Sequence, residues 1–218
     1  MSKKIRLAVF VSGGGTNLQT IIDACAANEI NAEVAFVLSS RKKAFAIERA
    51  KKAGINYAVY SPKKYNSSQE FSEAIMAELQ KHNIDLVVLA GFMSILSPDF
   101  IKKYANRIMN THPSLLPSFG GKGCYGIRVH QRVLEYGVKC TGATIMFINE
   151  NVDTGPIILQ EAIPVLNDDS AESLQQRVLK LEHNLYKKAI GLFADNRLKI
   201  EGRVVKILPK NEGDCNND

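Results

Sequence analysis

The sequence predicts an α/β fold: one domain on an open, mostly parallel twisted sheet of about seven strands, with helices on both faces. Three observations predict it. Short apolar runs alternate with stretches of helical periodicity. The runs are apolar almost throughout, as strands buried on both faces are. Gly13, Gly14 and Gly15 fall between the first apolar run and the first helical stretch, where such a sheet places a ligand turn. With right-handed crossovers the sheet is doubly wound and Rossmann-like.

The elements follow in order. "IRLAVFV" (5–11) reads as a buried strand. "TNLQTIIDACAAN" (16–28) reads as a helix, because Leu18, Ile21, Ile22 and Cys25 recur at a spacing of three or four. "AEVAFVLS" (32–39) is the second strand, and "AFAIERAKKAG" (44–54) is a helix stopped by Gly54. "YAVY" (57–60) is the third strand, 68–83 a helix, and "DLVVLAGF" (85–92) the fourth strand. A short helix (98–104) leads to a fifth strand, "RIMNTH" (107–112). A glycine-rich loop (120–126), a helix near 127–137, two strands (141–149 and 157–165), a long helix (170–194) and a short hairpin, "RLKI…RVVKI", complete the domain over 1–208. The polar tail, 209–218, reads as disordered.

Composition narrows the function. The chain has 218 residues, 45% hydrophobic and 23% charged, as an ordinary globular domain does. Its longest apolar runs are too short to span a bilayer. No signal peptide is visible, so the expected location is cytoplasmic, with no membrane partner. Cys25, Cys124, Cys140 and Cys215 are scattered without metal-ligand spacing, so free thiols and no metal are expected. The net charge of +6 is dispersed in pairs such as Lys42-Lys43 and Lys63-Lys64. That pattern argues against nucleic acid and suits small anionic substrates.

The glycine turn invites an anion. Glycines allow positive φ and close backbone approach. The N–H groups of Gly15, Thr16 and Asn17 then open a helix and face the crevice, a phosphate site. No Gly-Lys-Ser/Thr follows, so it is not a Walker loop. It is a poor dinucleotide fingerprint, because Leu18 stands where the third glycine would be. Arg41, after the second strand, leaves NADP as a minor alternative. The best reading is one phosphate monoester on a small ligand; the plain alternative is a tight turn with no ligand.

Asn110 and His112 end the fifth strand, two apart, and so share a face. An asparagine amide donates to a developing oxyanion. A histidine shuttles protons near neutral pH. A second polar cluster, "NENVDTGPI", carries Asp153. A loop folding over the fifth strand would pair Asp153 with His112 and raise the pKa of the imidazole. Each residue also has a plainer reading: a turn cap, a satisfied loop histidine, a turn aspartate. No Ser or Cys sits in a nucleophile elbow, which points to direct group transfer. Of the remaining histidines, His82 reads as solvated, His130 as a possible pocket residue, and His183 follows Glu182 beside the buried stripe of Leu174, Val178, Leu181 and Leu185.

These residues carry a resemblance. "SGGGTNLQ", "VVLAGFMSILSP", "NTHPSLLPSF", "VDTGPIILQ" and "LEHNLY" occur in the order and spacing of the phosphoribosylglycinamide formyltransferases, and residues 5–200 resemble that family throughout. The resemblance implies the formyltransferase fold. It also implies a reaction of de novo purine (IMP) biosynthesis. The formyl group of 10-formyltetrahydrofolate, a co-substrate, passes through a tetrahedral intermediate to the amine of glycinamide ribonucleotide. It implies Asn110 as oxyanion donor, His112 as general acid and proton shuttle, and Asp153 as the carboxylate that raises the histidine's pKa. Gly15, Thr16 and Asn17, with Leu179, Lys180, Leu181 and Glu182, correspond to positions around glycinamide ribonucleotide. Ser68, Met93, Ser94, Ile95 and Leu96, with Asn110 and the loop Asn149, Glu150, Asn151, Val152 and Asp153, correspond to positions around the formylfolate. A monomer or homodimer is implied.

The chain departs from the family at four places. Some members carry Arg where Ser94 and Ser68 stand, so the folate glutamate tail needs another partner, such as Lys63 or Lys64. Many have His where Met146 stands. "GGKGCYGIRVH" is a longer loop, with Lys122 and Arg128 as candidate anion contacts. Two rivals remain within the superfamily, a formyltetrahydrofolate deformylase and a methionyl-tRNA formyltransferase. They are expected to carry an added N-terminal or C-terminal domain. A non-catalytic nucleotide-binding module explains the glycine turn but not Asn110, His112 and Asp153 together.

Overall fold

A computed structural model describes residues 3–210. In chain order it runs β1 (Ile5–Val11), α1 (Thr16–Ala26), β2 (Ala32–Ser39), α2 (Ala46–Lys52), β3 (Tyr57–Val59), α3 (Ser68–Leu79), β4 (Leu86–Leu89), α4 (Pro98–Lys103) and β5 (Ile108–His112). Then come α5 (Ile127–Tyr136), β6 (Cys140–Phe147), β7 (Ile157–Pro164), α6 (Ala171–Ala194), β8 (Leu198–Glu201) and β9 (Val204–Ile207). The strands form one sheet in the order β3-β2-β1-β4-β5-β6-β7-β9-β8. The first five pair in parallel, and β6 runs antiparallel to both β5 and β7.

The apolar strands have a direct cause. Along β1, Leu7, Val9 and Val11 enter the core beneath α1 and α6, while Ala8 and Phe10 enter a second core beneath α3 and α4. Both faces are buried, so neither tolerates a polar residue. Side-chain caps set several helix starts. Ser67 accepts from the Glu70 N–H, Ser97 from the Phe100 N–H, and Ser170 and Ser173 form a reciprocal capping box. The Tyr186 hydroxyl donates to the Leu89 carbonyl at 2.7 Å and fastens α6 to the end of β4.

The sheet has nine strands among the described residues rather than about seven. The terminal hairpin, read as a separate closing element, joins the sheet where Ile157 of β7 pairs in parallel with Val204 of β9. A second difference concerns His82, which is not solvated. Its ring stacks on Phe36 with centroids 4.4 Å apart, and its Nε2 lies 3.1 Å from a Glu78 oxygen. The tail from residue 211 lies outside the described residues; Pro209 and Lys210 are exposed.

The order of strands reverses between β1 and β4: the connection from β1 leads to β2 on one side, and β4 sits on the other. Ligands of open α/β sheets bind outside the carboxyl ends of the strands at such a point.

Candidate active site

The turn after β1 opens into a cavity of about 410 Å³. Gly13, Gly14, Gly15, Thr16 and Asn17 form one wall of it. Gly15 caps α1 with φ +72°, and a Cβ there would fall 2.6 Å from the Ala46 Cβ. No side chain caps the first turn of α1, so its N–H groups remain for a ligand. From α2, Arg49 Nε donates to the Gly14 carbonyl at 2.9 Å, and the Ala46 N–H donates to the Gly13 carbonyl at 3.1 Å. The turn is therefore braced from behind before any anion arrives.

The opposite walls come from Ala90, Gly91 and Met93 after β4, from Thr111 and Pro113 at the end of β5, from Gly126 and His130 of α5, and from Gln175, Leu179 and Glu182 of α6. Leu179 and Glu182 lie three apart and so share a helix face. Between them Lys180 is exposed and Leu181 packs in the core. Glu182 is 8% exposed. One of its oxygens accepts from Asn17 Nδ2 at 3.3 Å and from Thr111 Oγ1 at 3.2 Å. Burial pushes its pKa up to about 7, against the lowering effect of those two bonds.

The end of β5 divides the site. Thr111 and Pro113 face the cavity, whereas Asn110 and His112, on the other face of the strand, are not among its lining residues. The side chain of Asn110 is half-buried and makes no hydrogen bond among the described residues. His112 is buried, and both ring nitrogens are engaged. Nε2 donates to the Phe119 carbonyl at 2.9 Å, and Nδ1 lies 3.5 Å from an Asp153 oxygen. That same oxygen accepts from the Gly121 N–H at 2.8 Å. The β6–β7 loop thus folds back over β5, and Asp153 reaches His112. Gly155 makes the fold-back possible, because a Cβ there would sit 1.8 Å from the Phe147 carbonyl oxygen. Phe119 and Asp153 both adopt left-handed φ, +54° and +55°.

The other positions that the resemblance assigns to the formylfolate flank β5 on its two sides in the sheet. Met93 and Ile95 after β4, and Val152 in the β6–β7 loop, are large apolar side chains left exposed. Exposed apolar side chains of this size suit contact with a ligand or partner surface. Ser94 and Asn149 are half-buried, Glu150 and Asn151 exposed, and Leu96 packs in the α3–α4 core. Ser68 is exposed at the first residue of α3, past the turn that carries Lys63 and Lys64. Met146 is buried opposite Asn110. In the longer loop, Arg128 lies over the Tyr125 ring at 5.0 Å, and Lys122 is exposed. Neither lines the cavity.

Several residues were invisible to sequence reading. Thr111 lies between the two residues of interest and was set aside by the same alternation that selected them. Ser12 binds Ser40 through their hydroxyls at 2.6 Å and accepts from the Met93 N–H at 2.9 Å, tying the β4 exit to β1. Arg49 had no local signal. A larger groove of about 610 Å³ runs beside Glu29, Lys187 and Arg197. It lies toward the amino ends of the strands, away from the switch point, so the site is assigned to the smaller cavity.

A doubly wound sheet with a braced glycine turn and a histidine–carboxylate pair at its switch point is a scaffold for group transfer. Residues 5–190 match the family described as formyl transferase, and the chain belongs to that family. Several of its relatives carry one name. It is 41% identical over 209 residues to the phosphoribosylglycinamide formyltransferase of Haemophilus influenzae, covering 94% of this chain and 96% of that one. The enzyme of that name from Escherichia coli is 40% identical over 196 residues, 90% of each chain. A crystal structure of glycinamide ribonucleotide transformylase 1 from Symbiobacterium toebii superposes with a TM-score of 0.90 at 44% identity, covering 96% of both chains.

Proposed function

We propose that the protein transfers the formyl group of 10-formyltetrahydrofolate to the primary amine of glycinamide ribonucleotide, a step of purine biosynthesis. The observation that carries this reading is the division of the β5 end. A phosphate-accepting cavity with a buried carboxylate lies on one face, and Asn110, His112 and Asp153 lie on the other.

The phosphate rests on the start of α1, and Glu182 receives donors from the sugar or glycinamide end. The amine nitrogen attacks the formyl carbon to give a tetrahedral intermediate, which collapses as the bond from that carbon to N10 of the donor breaks. The amine loses one proton and N10 gains one, so the sum is neutral. The Asn110 amide donates to the formyl oxygen as negative charge gathers there. His112 carries the proton, with Asp153 fixing its ring. To do so, Nε2 exchanges the Phe119 carbonyl for the reacting groups. The flanking apolar residues Met93, Ile95 and Val152 hold the donor's ring system and keep water from it.

The test is product analysis with purified protein, 10-formyltetrahydrofolate and glycinamide ribonucleotide. Formylated nucleotide and tetrahydrofolate are expected in equal amounts. Formate released at the same rate with and without the nucleotide would instead mean that water is the acceptor.

A further inference from the structure

His130 lies in the first turn of α5 and lines the cavity beside Gly126, yet it is 1% exposed. Among the described residues neither ring nitrogen makes a hydrogen bond, and Nδ1 is shut away from solvent with no partner. Buried polar groups are nearly always paired, and an unpaired one calls for an explanation. Packing does not supply it. The neighbours Val129 and Val133 are fully buried, and an apolar side chain at 130 would serve the core as well.

Its charge state fits a ligand role. Burial, and the charge of a protonated His112 nearby, push its pKa down to about 4. At neutral pH it therefore offers one N–H and one bare nitrogen. The χ2 torsion of histidine is broad and roughly two-fold, so a flip of about half a turn exchanges the ring edge that faces the cavity. Across the cavity, Glu182 already accepts from Asn17 and Thr111. A cation beside an attacking amine would repel its protonated form, and a carboxylate would hold it as ammonium. A neutral imidazole orients it without favouring the charged form.

We infer that His130 is a substrate-contacting residue whose imidazole hydrogen-bonds the glycinamide group of the amine substrate, between the phosphate turn and the end of β5. The inference rests on the proposed function and deepens it: His130 selects an amide-linked amine and sets its approach.

The experiment compares His130→Phe, which removes both polar atoms, with His130→Gln, which keeps a donor and an acceptor. Calorimetry with glycinamide ribonucleotide and with ribose 5-phosphate, steady-state KM for both substrates, and thermal unfolding are measured on each. For His130→Phe, affinity for glycinamide ribonucleotide is expected to fall about 10- to 100-fold. Affinity for ribose 5-phosphate and KM for the formyl donor should stay within about twofold, and Tm should not fall. His130→Gln should recover most of the affinity. Unchanged glycinamide ribonucleotide binding in His130→Phe overturns the inference, as does an equal loss for ribose 5-phosphate. If the wild-type protein neither binds nor formylates the nucleotide, the proposed function falls first and this inference with it.

Discussion

The two faces of the β5 end are built differently. On the cavity face, Thr111, Asn17 and Glu182 belong to β5, α1 and α6, and the glycine turn is braced by α2. On the opposite face, His112 is held by the Phe119 carbonyl and by Asp153, which in turn accepts from the Gly121 N–H, with two non-glycine residues in left-handed conformations. The first face is built mainly from regular elements and is ready to receive a ligand. On the second, both ring nitrogens of His112 are engaged, while the Asn110 amide makes no hydrogen bond among the described residues. The proposed function assigns binding to one face and proton transfer to the other, and mutations should separate them.

The largest effect belongs to the second face. His112→Ala and Asp153→Asn should each lower kcat at least about 100-fold. The Kd for glycinamide ribonucleotide should stay within about twofold, as calorimetry would show. A matching loss of binding would break the distinction between the faces.

Two glycines give the next contrast. Gly155→Ala forces the β6–β7 loop off the Phe147 carbonyl. A cost of about 2 kcal/mol or more is expected, or a fall in Tm of roughly 4–8 °C, together with a lower kcat. Gly15→Ala collides with Ala46 and adds left-handed strain. It should act mainly on nucleotide affinity, about tenfold weaker, with kcat at saturation less affected.

The pH dependence of stability sharpens the cavity face. The folded protein raises the pKa of Glu182 from 4.5 to about 7, so the stability this group adds is complete below about 4.5 and lost as pH rises to about 7. His130 is the reverse. Its pKa falls from 6.5 to about 4, so its contribution is complete above about 6.5 and lost as pH falls toward 4. The two slopes oppose each other between about pH 4.5 and 6.5. Relative to wild type, Glu182→Gln should gain stability as pH rises through that window. His130→Phe should gain it as pH falls. Thermal unfolding across the window checks both signs.

The smallest effect concerns the folate tail. Ser68→Arg places a cation at the exposed start of α3. Exposed charge pairs are worth about 0.2–1 kcal/mol, so KM for a polyglutamylated donor should drop less than about fivefold and rise again with salt.

Much of this was legible in the sequence. The parallel half of the sheet was plain, because residues buried on two faces leave an unbroken apolar run. Strand alternation puts Asn110 and His112 on one face of β5. The glycine turn was legible from its glycines, and it lines the cavity as a ligand turn would. Asp153 near His112 was a guess about a loop, and the 3.5 Å contact answers it. Glu182 stood out only through the family resemblance, since a carboxylate beside a buried helical stripe reads equally well as solvated. The misses share a cause. His82 finds Phe36, Arg49 finds Gly14, and the hairpin finds β7 through contacts distant in sequence, which local periodicity does not encode.

The hairpin that joins β7 bears on how chains meet one another at high concentration. A sheet that ended at β7 would offer an open row of main-chain donors and acceptors to any neighbour. Instead β9 docks at Ile157, and the rim becomes β8, four residues long. There Lys199 and Lys206 both meet Glu201, and the uncovered stretch of β7 carries the exposed Glu161 and ends in Pro164. Short length, charge and a proline are the devices that discourage one sheet from adding to another. The last strands thus guard against aggregation at an edge remote from the chemistry.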